Sequence, residues 1–193
     1  QLMNDALILS KLSSLNATQS IDVLSSALRQ SGQELDQANK KTGDGATMLD
    51  KWVKVTKVAN VSLDTLATGF SVLGEAADAA GLKDEELNAI LAVTSETMGV
   101  TGKEAANMAR AFVAGFQSDK AVAALENVGI ATKNTSGEMR TLLQIQADLY
   151  QAKTLGTISP ETYSKLTLAI GGGTRRQAPL AGFIESQPRI AEI

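Results

Sequence analysis

Two arginines behind a run of glycines are the residues whose types and spacing best suit chemistry. Gly171-Gly172-Gly173-Thr174-Arg175-Arg176 would set free backbone amides and two guanidinium groups at a helix start, an arrangement that holds phosphate or another anion. The stretch lacks the lysine spacing of a Walker loop, and a hinge between two helices also explains the glycines. Arg140, three residues after Gly137, is a candidate clamp for a partner carboxylate. The plainer reading is an intramolecular pair or a solvated side chain. Trp52, the only tryptophan, is a candidate partner anchor, set against core packing on a helix stripe. Asp44 in Lys40-Lys41-Thr42-Gly43-Asp44-Gly45 invites a calcium reading. The alternating oxygen ligands and closing glutamate of an EF-hand are missing, so a turn is expected there and no metal site.

Composition narrows the field. Histidine and cysteine are both absent. That removes the commonest general base, the commonest zinc ligands, any disulfide framework and every Ser-His-Asp or Cys-His arrangement. No catalytic residue and no cofactor is expected, and the chain reads as a non-enzyme. The net charge is −3 with both signs interspersed and no basic face, so sequence-independent nucleic-acid binding is not expected. The longest apolar run, Ala89 to Val93, falls far short of the ~20 residues of a membrane span. No signal peptide is visible, and the first residue is Gln1 rather than methionine, so a fragment of a longer protein is expected. With 4% aromatic residues, the core must come from Leu, Ile, Val, Met and Ala. Alanine faces let helices approach closely but bury little area each.

The elements that must position these residues read as helices punctuated by glycine. Leu2 to Leu15 is apolar on more than one side, as in a helix with several neighbours. Thr18-Gln19-Ser20 is expected to cap a second helix carrying Ile21, Leu24, Ala27 and Leu28. Ser31-Gly32 weakens it, and Lys40 to Gly45 is the best candidate hinge. Met48 to Ala59 forms a shorter helix with Trp52, Val55 and Ala59 on one side. A long helix follows from Ser62, with Leu63, Leu66, Phe70, Leu73, Ala77 and Ala80 as its stripe. Gly69 and Gly74 inside it either admit a close neighbour or mark a kink.

Gly81-Leu82, Gly99-Val100 and Gly129-Ile130 each pair a helix-stopping glycine with an aliphatic residue that folds back on the last turn. Between the first two, Leu87, Ile90, Leu91, Thr94 and Met98 form one apolar stripe. Thr101-Gly102-Lys103-Glu104 is a capping box, and Ala105, Ala109, Phe112, Val113 and Phe116 follow as the next stripe. Ile130 to Lys133 is short and extended, Asn134 to Gly137 turns, and a helix bearing Leu142, Leu143, Ile145 and Leu149 fades at Leu155-Gly156. Ser159 caps the next helix with Pro160 at its first position, and Tyr163, Leu166 and Ile170 face inward. The expected fold is all-α, an array of short antiparallel helices joined by glycine-stopped turns. Its expected division is an N-terminal helical arm over 1–45, a core over 46–156, and a C-terminal helix pair over 157–193 packing on that core.

The order of these features carries a resemblance. A helix opened by leucine and acidic residues comes first, then a Thr-Gly start with Ala106 and Arg110, then Leu125-Glu126-Asn127-Val128-Gly129-Ile130. A polar loop, Gly137-x-x-Arg140 and Ile145-Gln146-Ala147-Asp148-Leu149 complete it. This resembles the core region of phage tail tape measure proteins. Upstream the similarity reaches Asp50-Lys51-Trp52 and Val61 to Ala67, and downstream Leu168 to Gly172 and Arg175-Arg176, roughly positions 48–182. Each motif alone is a glycine or a cap, and the signal is their order.

The resemblance implies a structural role. A protein of this family occupies the tail tube lumen of the virion, sets tail length during assembly in the host cytoplasm, and leaves ahead of the DNA on infection. Its implied partners are the tail tube protein, tail tip proteins, tail assembly chaperones and further copies of itself. Such a ruler works because a helix of fixed residue count has fixed length. As one helix these 193 residues would measure ~290 Å. The glycines and caps argue against that form, so a folded docking segment is expected. Proteins of this family sometimes carry peptidoglycan-cleaving domains, and Ile184-Glu185-Ser186 resembles the catalytic glutamate of lysozyme-like transglycosylases. Only eight residues follow Glu185, so a plain helix-end glutamate is expected. The alternative from another class is a helical adaptor or effector module that binds a partner through an apolar groove.

Overall fold

Caps set where the helices begin. Asn16 and Gln19 bond each other's backbone N–H at 2.9 Å in both directions, a reciprocal box that satisfies two otherwise orphaned donors. The computed structural model describes residues 2–30 and 45–193. The expectations for Ser31-Gly32, for Asp44 and for all of the 40–45 hinge but Gly45 lie outside the described residues. Gly45 itself opens a helix.

Among the described residues the elements are α1 (Leu2–Leu12), α2 (Ala17–Gln30), α3 (Gly45–Val58), α4 (Leu63–Ala79), α5 (Asp84–Met98), α6 (Gly102–Phe116), α7 (Asp119–Glu126), α8 (Leu142–Thr154), α9 (Pro160–Gly171), α10 (Thr174–Glu185) and α11 (Gln187–Ile190). One antiparallel bridge, Lys133 to Met139, is the sole extended pairing among them. The fold is all-α. It forms two compact units, Gln1–Ala109 with Ile193 and Arg110–Glu192. The division falls inside α6, whereas the sequence reading drew its boundaries at 45 and 156.

In the first unit α2 packs along α4 and α1, and α1 also meets α3. The segment expected as an arm is thus, over its described residues, built into this unit. Ser14 donates its N–H (2.9 Å) and hydroxyl (2.5 Å) to the Asp64 carboxylate in the first turn of α4. Trp52, Phe70, Leu66, Leu73, Leu24 and Leu28 fill the core. The Trp52 and Phe70 rings meet edge-on at 5.8 Å between centroids. Helix α5 differs from expectation. Instead of one stripe, every residue from Leu87 to Ser95 is buried, because α3 and α4 both pack on it. Helix α1 differs in the opposite sense. It buries Asp5, Ala6 and Leu9, while Met3, Leu7, Ile8 and Leu12 on its outer side stay exposed.

Two glycines let α6 begin against α4. A β-carbon on Gly102 would lie 2.9 Å from Thr65 Cα and 3.0 Å from Thr65 C, and closer still to the Thr65 oxygen. One on Gly69 would meet the Leu91 side chain at 2.8 Å and the Gly102 oxygen at 3.1 Å. Helix α4 runs unbroken through Gly69, so that residue admits a neighbour and makes no break.

In the second unit, Ser118 accepts from the Ala121 N–H at 3.3 Å to start α7. Thr141 and Gln144 form a full capping box at α8, and Ser159 caps α9 with Pro160 in its first turn. The restart after the polar loop therefore lies at Thr141, one residue past the Gly137-x-x-Arg140 stretch. The sequence reading likewise placed the α2 cap at Thr18 to Ser20, but those residues lie inside the helix, and Asn16, just before its first residue, accepts from the Gln19 N–H at 2.9 Å. Helix α9 packs on α7 and α10, and Phe112 stacks on Phe183 with centroids 5.2 Å apart.

Candidate functional site

The singled-out charged side chains fall at three separate places, all in the second unit. Gly137 turns a small hairpin that Asn134 builds from its own side chain. Asn134 Oδ1 accepts from Ser136 N–H and Glu138 N–H, both at 2.9 Å, while its Nδ2 donates to Glu138 Oε2 at 2.9 Å. Asparagine favours this use because its short amide mimics a backbone turn. Arg140 N–H donates to Thr132 oxygen at 2.9 Å to close the hairpin's base. The Arg140 guanidinium donates to Ala131 oxygen at 2.7 Å and to Asp148 Oδ2 at 2.6 Å. It therefore clamps a carboxylate of its own chain, on α8, and fixes the hairpin to that helix. Thr132, fully buried, donates to Glu126 Oε1 at 2.6 Å from beneath.

At the second place, Gly172 caps α9 in the left-handed region (φ 67°) and Gly173 (φ 147°) precedes α10. The two bends turn the chain directly from one helix into the next. Arg175 and Arg176 stand exposed in the first turn of α10. Behind them Gln177 Nε2 donates to Ser164 oxygen at 2.9 Å and to the Ser164 hydroxyl at 3.0 Å. The glycines thus work as the hinge between packed helices, and the arginines lie on its outside.

The third place surrounds Glu185. Its carboxylate is half-exposed and paired with Lys153 Nζ, and that ammonium lies 4.9 Å from the centre of the Tyr163 ring. Burial pushes the Tyr163 phenol up to about 12, with the charge of Glu185 adding to the effect. A general acid for glycoside cleavage needs a desolvated carboxyl, and Glu185 has water and a lysine instead. One turn away, Gln146 Nε2 donates to Phe183 oxygen at 3.2 Å and Ile184 oxygen at 2.9 Å. This buried amide satisfies the last carbonyls of α10, a task sequence reading missed because α8 and α10 are distant in the chain. Its only sequence signal is a glutamine on the inward side of a helix.

Trp52 corrects the anchor reading. It is 0% exposed, so it serves the core of the first unit. The remaining candidates are turns and caps. Gly81, Gly99 and Gly129 all have positive φ, and at Gly99 both its own N–H and that of Val100 reach Ser95 oxygen. Thr101 donates its N–H and hydroxyl to Glu104 Oε2 at 3.2 and 3.1 Å. Among the described residues, no group of three or more Asp, Glu, His or Cys could hold a metal ion.

What the molecule concentrates is therefore helix termini and cross-helix ties, the equipment of an all-α structural array. Within that class, the chain belongs to the family of phage-related minor tail proteins, which it matches over residues 1–172. Membership implies a structural role in the phage tail, contact with other tail components and a place in the virion. No curated protein and no solved structure matches the chain. Among the described residues no helix is long and apolar enough to cross a membrane.

Proposed function

We propose that this chain is a folded segment of a tail tape measure protein, and that it acts without catalysis. It docks in the tail lumen on the tail tube protein, tail tip proteins or assembly chaperones, and on other copies of itself. The family match supports the tail assignment, and the order of caps and glycine stops supports the finer one. The observation that carries the docking role is helix length. The longest described helix, α4, has 17 residues, about 26 Å at 1.5 Å per residue, so the measuring rod belongs to other parts of such a protein.

Tail lengths in electron micrographs test both halves of the proposal. An amber mutation in the gene should give no tails or tails of uncontrolled length. Tails of normal length would remove the tape measure assignment. An in-frame duplication of these residues should not lengthen the tail by the ~290 Å that a continuous helix would add. An added length of that size would remove the docking role.

A further inference from the structure

Among the described residues, the outer face of α1 is apolar and left exposed. Its six exposed residues are Met3, Asn4, Leu7, Ile8, Lys11 and Leu12, and the four apolar ones are 64%, 44%, 47% and 56% exposed in the order Met3, Leu7, Ile8, Leu12. Large apolar residues exposed singly are ordinary, but four on one short helix face form a patch that marks a contact. The occupant follows from how the six are arranged. Under a two-fold axis midway between residues 7 and 8, residue i of one helix faces residue 15 − i of the other. Met3 then faces Leu12, Leu7 faces Ile8, and Asn4 faces Lys11, so every apolar residue meets an apolar one. The single cation meets a side-chain carbonyl that can accept a hydrogen bond from it. A two-fold interface requires this kind of self-complementarity. A parallel pairing sets Lys11 beside Lys11, a like-charge contact that costs energy.

We infer that α1 is the contact between two copies of this chain, packed antiparallel through this face. The inference rests on the self-association in the proposed function, and its failure would leave the tail assignment untouched. The area sets the strength. The four apolar side chains offer roughly 400 Å² per copy, about half the ~800 Å² per partner of a standard stable interface. Free in dilute solution the pair is therefore weak, with a dissociation constant on the order of 0.1–1 mM. It becomes populated where copies are held close together and effective concentrations are high.

The chain has no cysteine, so cross-linking reads the pairing directly. Met3→Cys and Leu12→Cys chains carrying different mass tags should form a mixed disulfide dimer when oxidised together, well above the yield of either chain alone. In a parallel pair, Met3→Cys alone would cross-link as well as the mixture, and that result would overturn the inference. Sedimentation of the unmodified 193-residue chain up to ~1 mM should show a concentration-dependent dimer. Ile8→Asp should raise its dissociation constant at least about tenfold, because it sets a charge in the apolar contact. The substituted side chain is exposed, so the helical circular dichroism should not change. A strictly monomeric chain at ~1 mM, as when another segment of the same chain covers the face, would also overturn it.

Discussion

Replacing Gly102 with alanine puts a methyl group in place of a hydrogen at the tightest of the described glycines of the first unit. The new β-carbon would lie 2.9 Å from Thr65 Cα and 3.0 Å from Thr65 C. Both are backbone atoms of a helix and cannot swing aside as a side-chain end can. To restore ordinary contact, α4 and the start of α6 must separate by the better part of an ångström. Overpacking of this kind costs about 1–3 kcal/mol, and alanine's helix preference returns at most about 1 kcal/mol, less in a first turn. The net expectation is a loss of about 2 kcal/mol. Trp52, the only tryptophan, is fully buried in the same unit, so its fluorescence follows that unit's unfolding in urea. With a slope of roughly 1–2 kcal/mol per molar for a unit this size, the midpoint should fall by about 1–2 M. Gly69→Ala is the internal comparison. Its nearest obstacle is the tip of Leu91, which can change rotamer, so its loss should be smaller. An unchanged or raised midpoint for Gly102→Ala, or the reverse ranking, would refute the idea that backbone approach decides these sites.

Other consequences follow from individual contacts. The Tyr163 phenol, held at about 12 mainly by burial, should ionise late in an ultraviolet pH titration. Because its folded value lies above the unfolded value near 10, its contribution to stability is intact below pH 10 and is lost as pH rises toward 12. Glu85 is shifted the other way, lowered first by its hydrogen bond from Lys51, at 2.9 Å. Its contribution is present above the unfolded value of about 4.5 and is lost as pH falls through the lower folded value. Lys51→Met should flatten that acid limb in urea midpoints measured from pH 3 to pH 6 by lowering its neutral end, and only slightly, since the pair is partly exposed. Arg140→Met removes the link from the hairpin to both Ala131 oxygen and Asp148. It should cost about 1–2 kcal/mol and raise amide exchange at Asn134 to Glu138, and unchanged exchange there would show that Asn134 holds the turn alone.

Chemistry that acts within four residues was readable in the sequence. Ser159-Pro160 stands where a cap and a first-turn proline belong, and Ser159 does accept from the Thr162 N–H at 3.1 Å. Where the reading slipped, two local candidates competed. Thr18 and Ser20 have the right chemistry, yet Asn16 caps α2. What the chain brings together over long separations was not readable. The burial of Asn88 and Ser95 on α5 depends on which helices surround it, and periodicity within α5 could not reveal that. Helix α1 shows the converse. Its sequence displays two apolar sides, but only the assembled unit shows which of them a neighbour covers.

Glycine makes the point most sharply, because the same residue has two separate uses here. Gly99 and Gly129 turn the chain at positive φ, and a β-carbon on either would meet nothing within 4 Å. Their substitution is a matter of backbone strain alone, about 1 kcal/mol. Gly102 and Gly115 have ordinary helical backbones, and their cost is wholly steric. A β-carbon on Gly115 would stand 3.2 Å from Ile170 C on α9, and nearer to its oxygen. A rhythm of glycine and aliphatic pairs detects the first kind, since both residues that define the stop are adjacent in sequence. The second kind is defined by a partner 37 residues back or 55 residues ahead, and nothing near Gly102 or Gly115 marks it. In a chain with so few aromatic residues these close crossings replace the area that large side chains would bury. Gly115→Ala should therefore disturb the second unit as Gly102→Ala disturbs the first. An amino acid that tolerates positive φ, such as asparagine, should be accepted at Gly129 and rejected at Gly115.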